Sequence, residues 1–190
     1  MMRAFLLALA VATTQACGGA NEAASSGEAV VISSDAVIKA RLTETLAGVT
    51  FAESDAGYPF SVFDGDGTGI TTLTTDIVRE RLGTEAKRKS SSQRDLVPPG
   101  YRGAIEPDIT LYEERAADTR YTDAQRNNYK QHALALRYMK QQLRNVVQYR
   151  YGVDQTGERP GKDHTIVLIV GISRNTTKLI ALMSEFAEEP

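Results

Sequence analysis

The sequence predicts a single α+β domain in which helices pack on a mostly antiparallel β-sheet. The first observation is a long pattern over residues 122–152, where apolar side chains recur at helical spacings of three and four. The second is a pair of apolar runs, residues 164–173 and 178–187, whose composition is typical of strands. Because a helix must bury a long apolar stripe, we expect it to lie on a sheet made largely by the chain that follows it.

The N-terminal segment, residues 1–16, predicts an export signal. One arginine precedes an apolar run of roughly ten residues, which is too short to cross a bilayer. The only cysteine, Cys17, follows this segment and resembles the lipidation site of a bacterial lipoprotein. A plain secretion signal is the alternative, because Thr14 stands where lipoproteins usually have leucine. Residues 17–32 are mostly small or polar and predict a flexible tether after the lipidated cysteine.

The remaining chain, residues 33–190, is long enough for one domain. The single cysteine of the whole sequence precedes this domain, so the stability of the domain must come from packing and not from a disulfide. The formal net charge of the chain is −2, which provides no basic field to draw the protein onto nucleic acid. We therefore expect no direct nucleic-acid binding.

The sequence contains none of the motifs that identify common catalytic sites. It lacks the G-x-S-x-G nucleophile turn, the P-loop and the H-E-x-x-H zinc motif. His132 lies on the apolar stripe, which favours a hydrogen-bonded core histidine over a catalytic one. His164 begins a strand and has no nucleophile near it in the sequence. We expect a protein that is not an enzyme and that uses no cofactor or metal.

The first half of the domain predicts a helix and then a strand. Residues 33–48 form the helix, which Ser34 caps and Gly48 ends, with three apolar residues on one face. Residues 58–63 alternate like a strand. The following DGDGTG, residues 64–69, predicts a hairpin turn. Its opening also resembles a calcium loop, but Thr75 stands where the bidentate acid of that loop belongs.

Between this strand and the long helix the pattern is weaker. Residues 74–82 predict a short helix that Gly83 ends. Residues 84–100 predict an exposed, solvated basic loop that closes in a Pro-Pro-Gly turn, with a basic contact patch as the functional alternative. Residues 104–112 fit either a short strand or a turn of helix.

The long helix begins with a capping box, in which Thr122 is followed by Gln125 three residues later. Residues 149–153 then predict a strand, and residues 174–177 the turn between the last two strands. The run at 164–172 alternates little, which indicates a central strand covered on both faces. The predicted apolar stripe consists of Tyr129, His132, Leu136, Met139, Leu143 and Val146.

Two stretches resemble the nuclease A inhibitor family, small bacterial proteins that block sugar-non-specific DNA/RNA nucleases. One is QQLRNVVQYRYG, residues 141–152, followed by the IVLIVG strand and a last strand that runs to the C-terminus. The other is FAESDAGYPFSVF, residues 51–63, which is similar to the family's aromatic-acidic-YPF segment. The resemblance covers most of the chain from about Ser33 onwards. It implies an α/β/α sandwich and a non-specific nuclease as the protein partner.

The resemblance also implies which residues meet that partner. In the family, an acidic residue before the YPF strand and the C-terminal end both enter the nuclease site, where carboxylates suit groups built to hold phosphate. This chain has one extra residue between Phe51 and Tyr58, so either acid of that segment can take the role. The family ends in a threonine whose hydroxyl reaches the catalytic metal, and a proline stands there in this chain. The candidate partner-binding residues are Glu53, Asp55, Glu188, Glu189 and Pro190, and Glu185 is expected on the same acidic surface.

Two functions from different classes are consistent with these features. The first is an inhibitor of a sugar-non-specific nuclease, exported to the bacterial cell envelope and lipid-anchored in the periplasm or at the outer membrane. The second is an envelope lipoprotein that keeps the fold for another protein contact or a structural role. For the acidic residues themselves, the alternative to partner binding is ordinary solvated charge.

Overall fold

The structure, a computed structural model, describes residues 31–51, 58–91, 93, 95–153 and 163–188. Within these residues the chain forms four helices and one sheet of five strands. In chain order they are α1 (Asp35–Thr45), β1 (Ser61–Gly65), α2 (Thr75–Lys89), β2 (Leu96–Ala104), α3 (Glu106–Ala117), α4 (Asp123–Gln142), β3 (Leu143–Val153), β4 (Asp163–Ser173) and β5 (Leu179–Glu188). The predicted export signal and nearly all of the predicted tether lie outside the described residues.

The sheet has the strand order β1-β5-β4-β3-β2, and each neighbouring pair is antiparallel. β4 lies at the centre and joins β5 through a tight turn, in which the Ser173 N–H donates to the Lys178 carbonyl at 2.8 Å. The predicted central strand and the predicted turn at 174–177 are therefore confirmed.

Helices cover both faces of this sheet, which confirms the α/β/α arrangement. On β4, Val167 and Ile169 join a core with α1, α3 and α4, whereas Ile166 and Leu168 join a second core with α2. This division follows from the strand period of two, which sends neighbouring side chains to opposite faces. A strand buried on both faces needs apolar residues at every position, which explains why this run shows little alternation.

The start of α4 agrees with the sequence. The Gln125 N–H donates to Thr122 Oγ1 at 3.3 Å, and the Thr122 N–H donates to Gln125 Oε1 at 3.0 Å, which completes the capping box. The predicted stripe positions inside the helix are all buried: Tyr129, His132, Leu136 and Met139.

The long helix ends earlier than its apolar stripe predicts. Leu143 and Val146 belong to the predicted stripe, but both lie in β3, which follows α4 directly. The pair of valines at 146–147 and the tyrosines beyond them favour a strand. Pairing with β4 supplies hydrogen-bond partners for the backbone groups of β3. A register shift in this pairing lies between Arg144 and Val147, and Asn145 within it has a φ of +53°.

The predicted helix at 74–82 is also longer than expected. Thr74 caps its N-terminus, but α2 continues through Gly83 to Lys89. A glycine inside a helix costs only about 1 kcal/mol relative to alanine. Leu82 and Ala86 are both fully buried against the sheet, and this burial outweighs that cost.

The loop predicted at 84–100 is wrong at both of its ends. Besides the last turns of α2, it contains the start of β2, whose Pro98 and Pro99 lie in the strand. Proline lacks the N–H of a ladder hydrogen bond and is tolerated only at edges and bulges. β2 is an edge strand, and its register shifts between Val97 and Tyr101, so it meets both conditions. Of the two alternatives for 104–112, the helix is right, because α3 begins at Glu106.

The first half of the domain follows its prediction with two corrections. Ser34 caps α1, and Ile38, Leu42 and Leu46 are buried on one face. The predicted strand begins at Ser61, later than expected. The segment at 64–69 is not a hairpin turn, because it leads from β1 into α2 and β1 pairs instead with β5.

Candidate functional site

The acidic segment with Glu53 and Asp55 lies outside the described residues, but both of its flanks are described. Thr50 and Pro59 form an isolated antiparallel bridge, and the Phe51 N–H donates to the Tyr58 carbonyl at 3.4 Å. We call the five residues Thr50, Phe51, Tyr58, Pro59 and Phe60 the stem. The stem brings the two flanks of the acidic segment side by side.

The stem is attached to the C-terminal part of β5. The Phe51 and Phe186 rings stack with their centroids 5.5 Å apart, and Ser184 Oγ donates to the Tyr58 carbonyl at 2.9 Å. β5 ends at Glu188, whose backbone is paired with Asp163 of β4. The described flanks of the two acidic stretches, which are far apart in sequence, therefore lie beside each other at one end of the sheet.

Helix α4 holds the stem from the side opposite to the sheet. Asn128 clamps Thr50: its Nδ2 donates to the Thr50 carbonyl, and the Thr50 N–H donates to its Oδ1, both at 3.0 Å. His132, one helical turn later, touches the stem rings, with centroid distances of 4.9 Å to Phe60 and 5.9 Å to Phe51. Asn128 is not among the predicted site residues, because its position one turn before a residue of the stripe is the only signal that the sequence offers for it.

His132 is buried, which confirms that part of its prediction. The predicted hydrogen bonds of its ring are not found among the described residues. The exposed fraction of His132 is 0%, and within the described part of the chain neither ring nitrogen has a hydrogen-bond partner. Its ring stacks on Tyr112 at a centroid distance of 4.3 Å. Burial disfavours the charged imidazolium and lowers the pKa of His132 to about 3. Aromatic contacts, and not hydrogen bonds, hold this side chain.

Glu185 does not belong to the acidic surface on which it was expected. Its exposed fraction is 4%, and its carboxylate accepts hydrogen bonds from the Ser91 N–H and the Ser91 hydroxyl, both at 2.6 Å. Because successive strand residues point to opposite faces, Glu185 faces the α2 side of the sheet and Phe186 faces the stem. Glu185 therefore ties β5 to the segment after α2.

Most of the predicted partner-binding residues lie outside the described residues, as does the predicted lipidation site. Glu188 is the last residue of β5, and only its backbone is described. The outlying positions are Cys17, Glu53, Asp55, Glu189 and Pro190.

The carboxylates of the DGDGTG segment are bound by cations of the protein itself. Asp64 accepts hydrogen bonds from Lys39 Nζ at 2.6 Å and Lys178 Nζ at 3.1 Å, and these lysines, Lys39 foremost, lower the pKa of Asp64. Asp66 pairs with Arg81 at 3.3 Å. Across the described part of the chain, no group of three or more histidine, cysteine, aspartate or glutamate residues is arranged to hold a metal ion. In the same part, no helix has the length and apolarity that crossing a bilayer requires.

No protein-family model matches this chain, and no match to a curated protein is found. The resemblance to the nuclease A inhibitor family therefore rests on the two sequence stretches alone, and nuclease inhibition remains a hypothesis.

Proposed function

We propose that this protein inhibits a sugar-non-specific DNA/RNA nuclease by placing carboxylates in its active site. One observation carries the proposal: the stem and the C-terminal part of β5 are in direct contact, through the Phe51–Phe186 stack and the Ser184–Tyr58 hydrogen bond. The acidic segment and the acidic C-terminal end can therefore act on one partner surface together.

The chemistry of such a surface suits a nuclease. An active site that holds phosphate contains cationic groups, and carboxylates bind such groups through charge-assisted hydrogen bonds. Glu53 or Asp55 would pair with an arginine, while Glu188 and Glu189 approach the same site. Pro190 offers no hydroxyl to a metal, so we expect the C-terminal end to contribute less than a terminal threonine would.

The contacts of the stem hold the residues that flank the acidic segment in place. Thr50 is hydrogen-bonded at both its N–H and its carbonyl by Asn128, and Phe51 is 1% exposed. Holding both flanks of a segment in place reduces the conformational entropy that the segment loses when it meets a partner. This favours a role in binding, and we propose that the protein acts as a binding partner and not as an enzyme.

The test is a titration of a purified sugar-non-specific nuclease with the purified protein. We expect inhibition that falls by about 30-fold or more in affinity for Glu53→Ala/Asp55→Ala, because truncating one side of a buried charge pair costs about 2–5 kcal/mol. Removal of residues 188–190 should also weaken inhibition, though less.

The matched control is Asp76→Ala/Glu80→Ala, which removes the same charge from exposed positions of α2 on the other face of the sheet. It should inhibit like the parent protein. Inhibition that survives both the acidic double substitution and the truncation would place the interface elsewhere. If the intact protein inhibits no such nuclease, an envelope lipoprotein that uses the fold for another protein contact or a structural role becomes the better proposal.

We further propose that the protein is exported and anchored to the bacterial cell envelope through lipid on Cys17. The support is the apolar N-terminal run before Cys17 and the small, polar residues after it. A spacer of this composition would separate the folded domain from the membrane surface.

A further inference from the structure

The two sides of the stem are joined to each other by less backbone pairing than the strands of the sheet. Among the described residues they share one isolated bridge, Thr50 to Pro59, whereas each sheet strand pairs along a ladder. The free energy of local opening is lower where few backbone bonds and few contacts must break. The stem can therefore open while the five-stranded sheet remains intact.

His132 is the side chain that both halves of the stem share. Phe51 comes from one half and Phe60 from the other, and both rings lie against the imidazole. Tyr112 of α3 covers another side of the ring at 4.3 Å. Separating the halves of the stem would uncover His132 and give it access to water.

The groups around the His132 ring do little to stabilise its protonated form. Tyr112 of α3 stacks on the imidazole, Tyr129 of α4 stacks on Tyr112, and two cations lie over rings of the same aromatic cluster. Arg115 lies over the Tyr129 ring at 5.4 Å, and Arg150 over the Phe186 ring at 5.8 Å. Among the described residues no carboxylate pairs with His132. A buried charge without a partner is strongly disfavoured.

We propose that His132 is an acid-sensitive latch, whose protonation opens the stem while the sheet stays folded. The neutral imidazole packs between the stem rings, and the imidazolium requires water. In the open stem His132 regains an ordinary pKa, so acid shifts the equilibrium toward that state. The regulatory consequence, release of a bound nuclease in mildly acidic surroundings, rests on the proposed function, but the latch itself does not.

The size of the effect follows from proton linkage. With a pKa of about 3 in the closed state and the ordinary 6.5 in the open state, opening is favoured about 30-fold at pH 5 relative to neutral pH. If the stem opened without exposing His132 to water, the opening equilibrium would not depend on pH in this way.

Hydrogen exchange of backbone amides tests this in the purified protein without any nuclease. The reporters are the Thr50 and Phe51 amides of the stem, and central amides of β4 report global unfolding. We expect lower protection factors at the stem than in β4 at pH 7.5, and a further fall of about 30-fold at the stem by pH 5. In His132→Phe, which keeps an aromatic ring without a titratable group, this fall should be absent. His132→Leu serves the same purpose if phenylalanine does not fit.

Two outcomes would overturn the latch. Stem protection that does not change with pH in the parent protein would mean that the aromatic faces accommodate the imidazolium or that opening leaves His132 covered. Stem protection equal to that of β4 would mean that the stem opens only when the whole domain unfolds. Loss of nuclease inhibition with an intact latch, or the reverse, separates this inference from the proposed function.

Discussion

Gly83 and Gly171 show how differently the same residue type can be used in one fold. A Cβ on Gly83, inside α2, would meet only Arg79 Cγ at 3.7 Å, an ordinary contact distance. A Cβ on Gly171, in β4, would meet Leu143 Cβ at 2.8 Å and Val146 Cγ2 at 2.9 Å. Gly171 is therefore needed where the start of β3 crosses close to the central strand.

These environments predict opposite effects of the same substitution. Gly83→Ala should stabilise the protein by about 0.5–1 kcal/mol, because alanine is the better helix former and space is available. Gly171→Ala should destabilise it by about 1–3 kcal/mol, because the backbone or its neighbours must shift. Urea denaturation of both variants beside the parent protein measures this. Destabilisation by both would show that α2 does not continue through Gly83.

His132 also predicts a pH dependence of global stability. Its pKa is about 3 in the folded protein and 6.5 in the unfolded chain, so below pH 6.5 the unfolded chain binds more protons. Its contribution is fully present above pH 6.5 and is lost progressively as pH falls toward 3. At pH 5 the loss is about 2 kcal/mol relative to neutral pH.

Comparison with His132→Leu isolates this residue from the carboxylates that also titrate in acid. Denaturation midpoints of both proteins at pH 7.5 and pH 5 should show a larger acid loss in the parent by about this amount. Equal losses would mean that the burial of His132 does not control acid stability.

At the scale of elements, α4 buries one face in the core and exposes the other to solvent. Leu136 and Met139 are fully buried against the sheet, while Lys140 lies at the surface and pairs with Glu106 at 2.9 Å. Leu136→Ala and Met139→Ala should each destabilise by about 2–5 kcal/mol, the range for large-to-small core changes. Lys140→Ala should cost about 1 kcal/mol or less, as expected for an exposed ion pair.

Chemical denaturation of the three α4 variants gives the measurement. Lys140→Ala is the internal control, since it shortens a side chain of the same helix without opening a cavity. Equal destabilisation at all three positions would contradict the orientation of α4 on the sheet.

For the whole molecule, the proposed anchor makes a prediction about location. In fractionated cells we expect the parent protein with the membranes, because acyl chains on one cysteine can hold a folded domain there. Cys17→Ser should move the protein to the soluble fraction without changing the stability of the purified domain. A variant that still sediments with the membranes would refute anchoring through Cys17.

The sequence by itself determined the fold class, the order of most elements and several of their boundaries. The capping box at Thr122, the cap at Ser34 and the uninterrupted apolar run of β4 are local patterns. Each depends on residues within a few positions of one another, so it can be recognised without a tertiary contact. The burial of His132 followed from the same helical period.

Only the tertiary structure decided where α4 and α2 end, that β2 is a strand, and how the candidate site is assembled. Leu143 fits the helical stripe, but pairing with β4 makes it the first residue of a strand. From the sequence, Glu185 is expected at the surface. In the structure it is buried, because Ser91, which is remote in sequence, donates hydrogen bonds to its carboxylate. The stem depends on Asn128 and Phe186, whose distance in sequence from Thr50 and Phe51 leaves no local signal. Such contacts form only when the sheet brings distant segments together, and their packing energy outweighs local propensity.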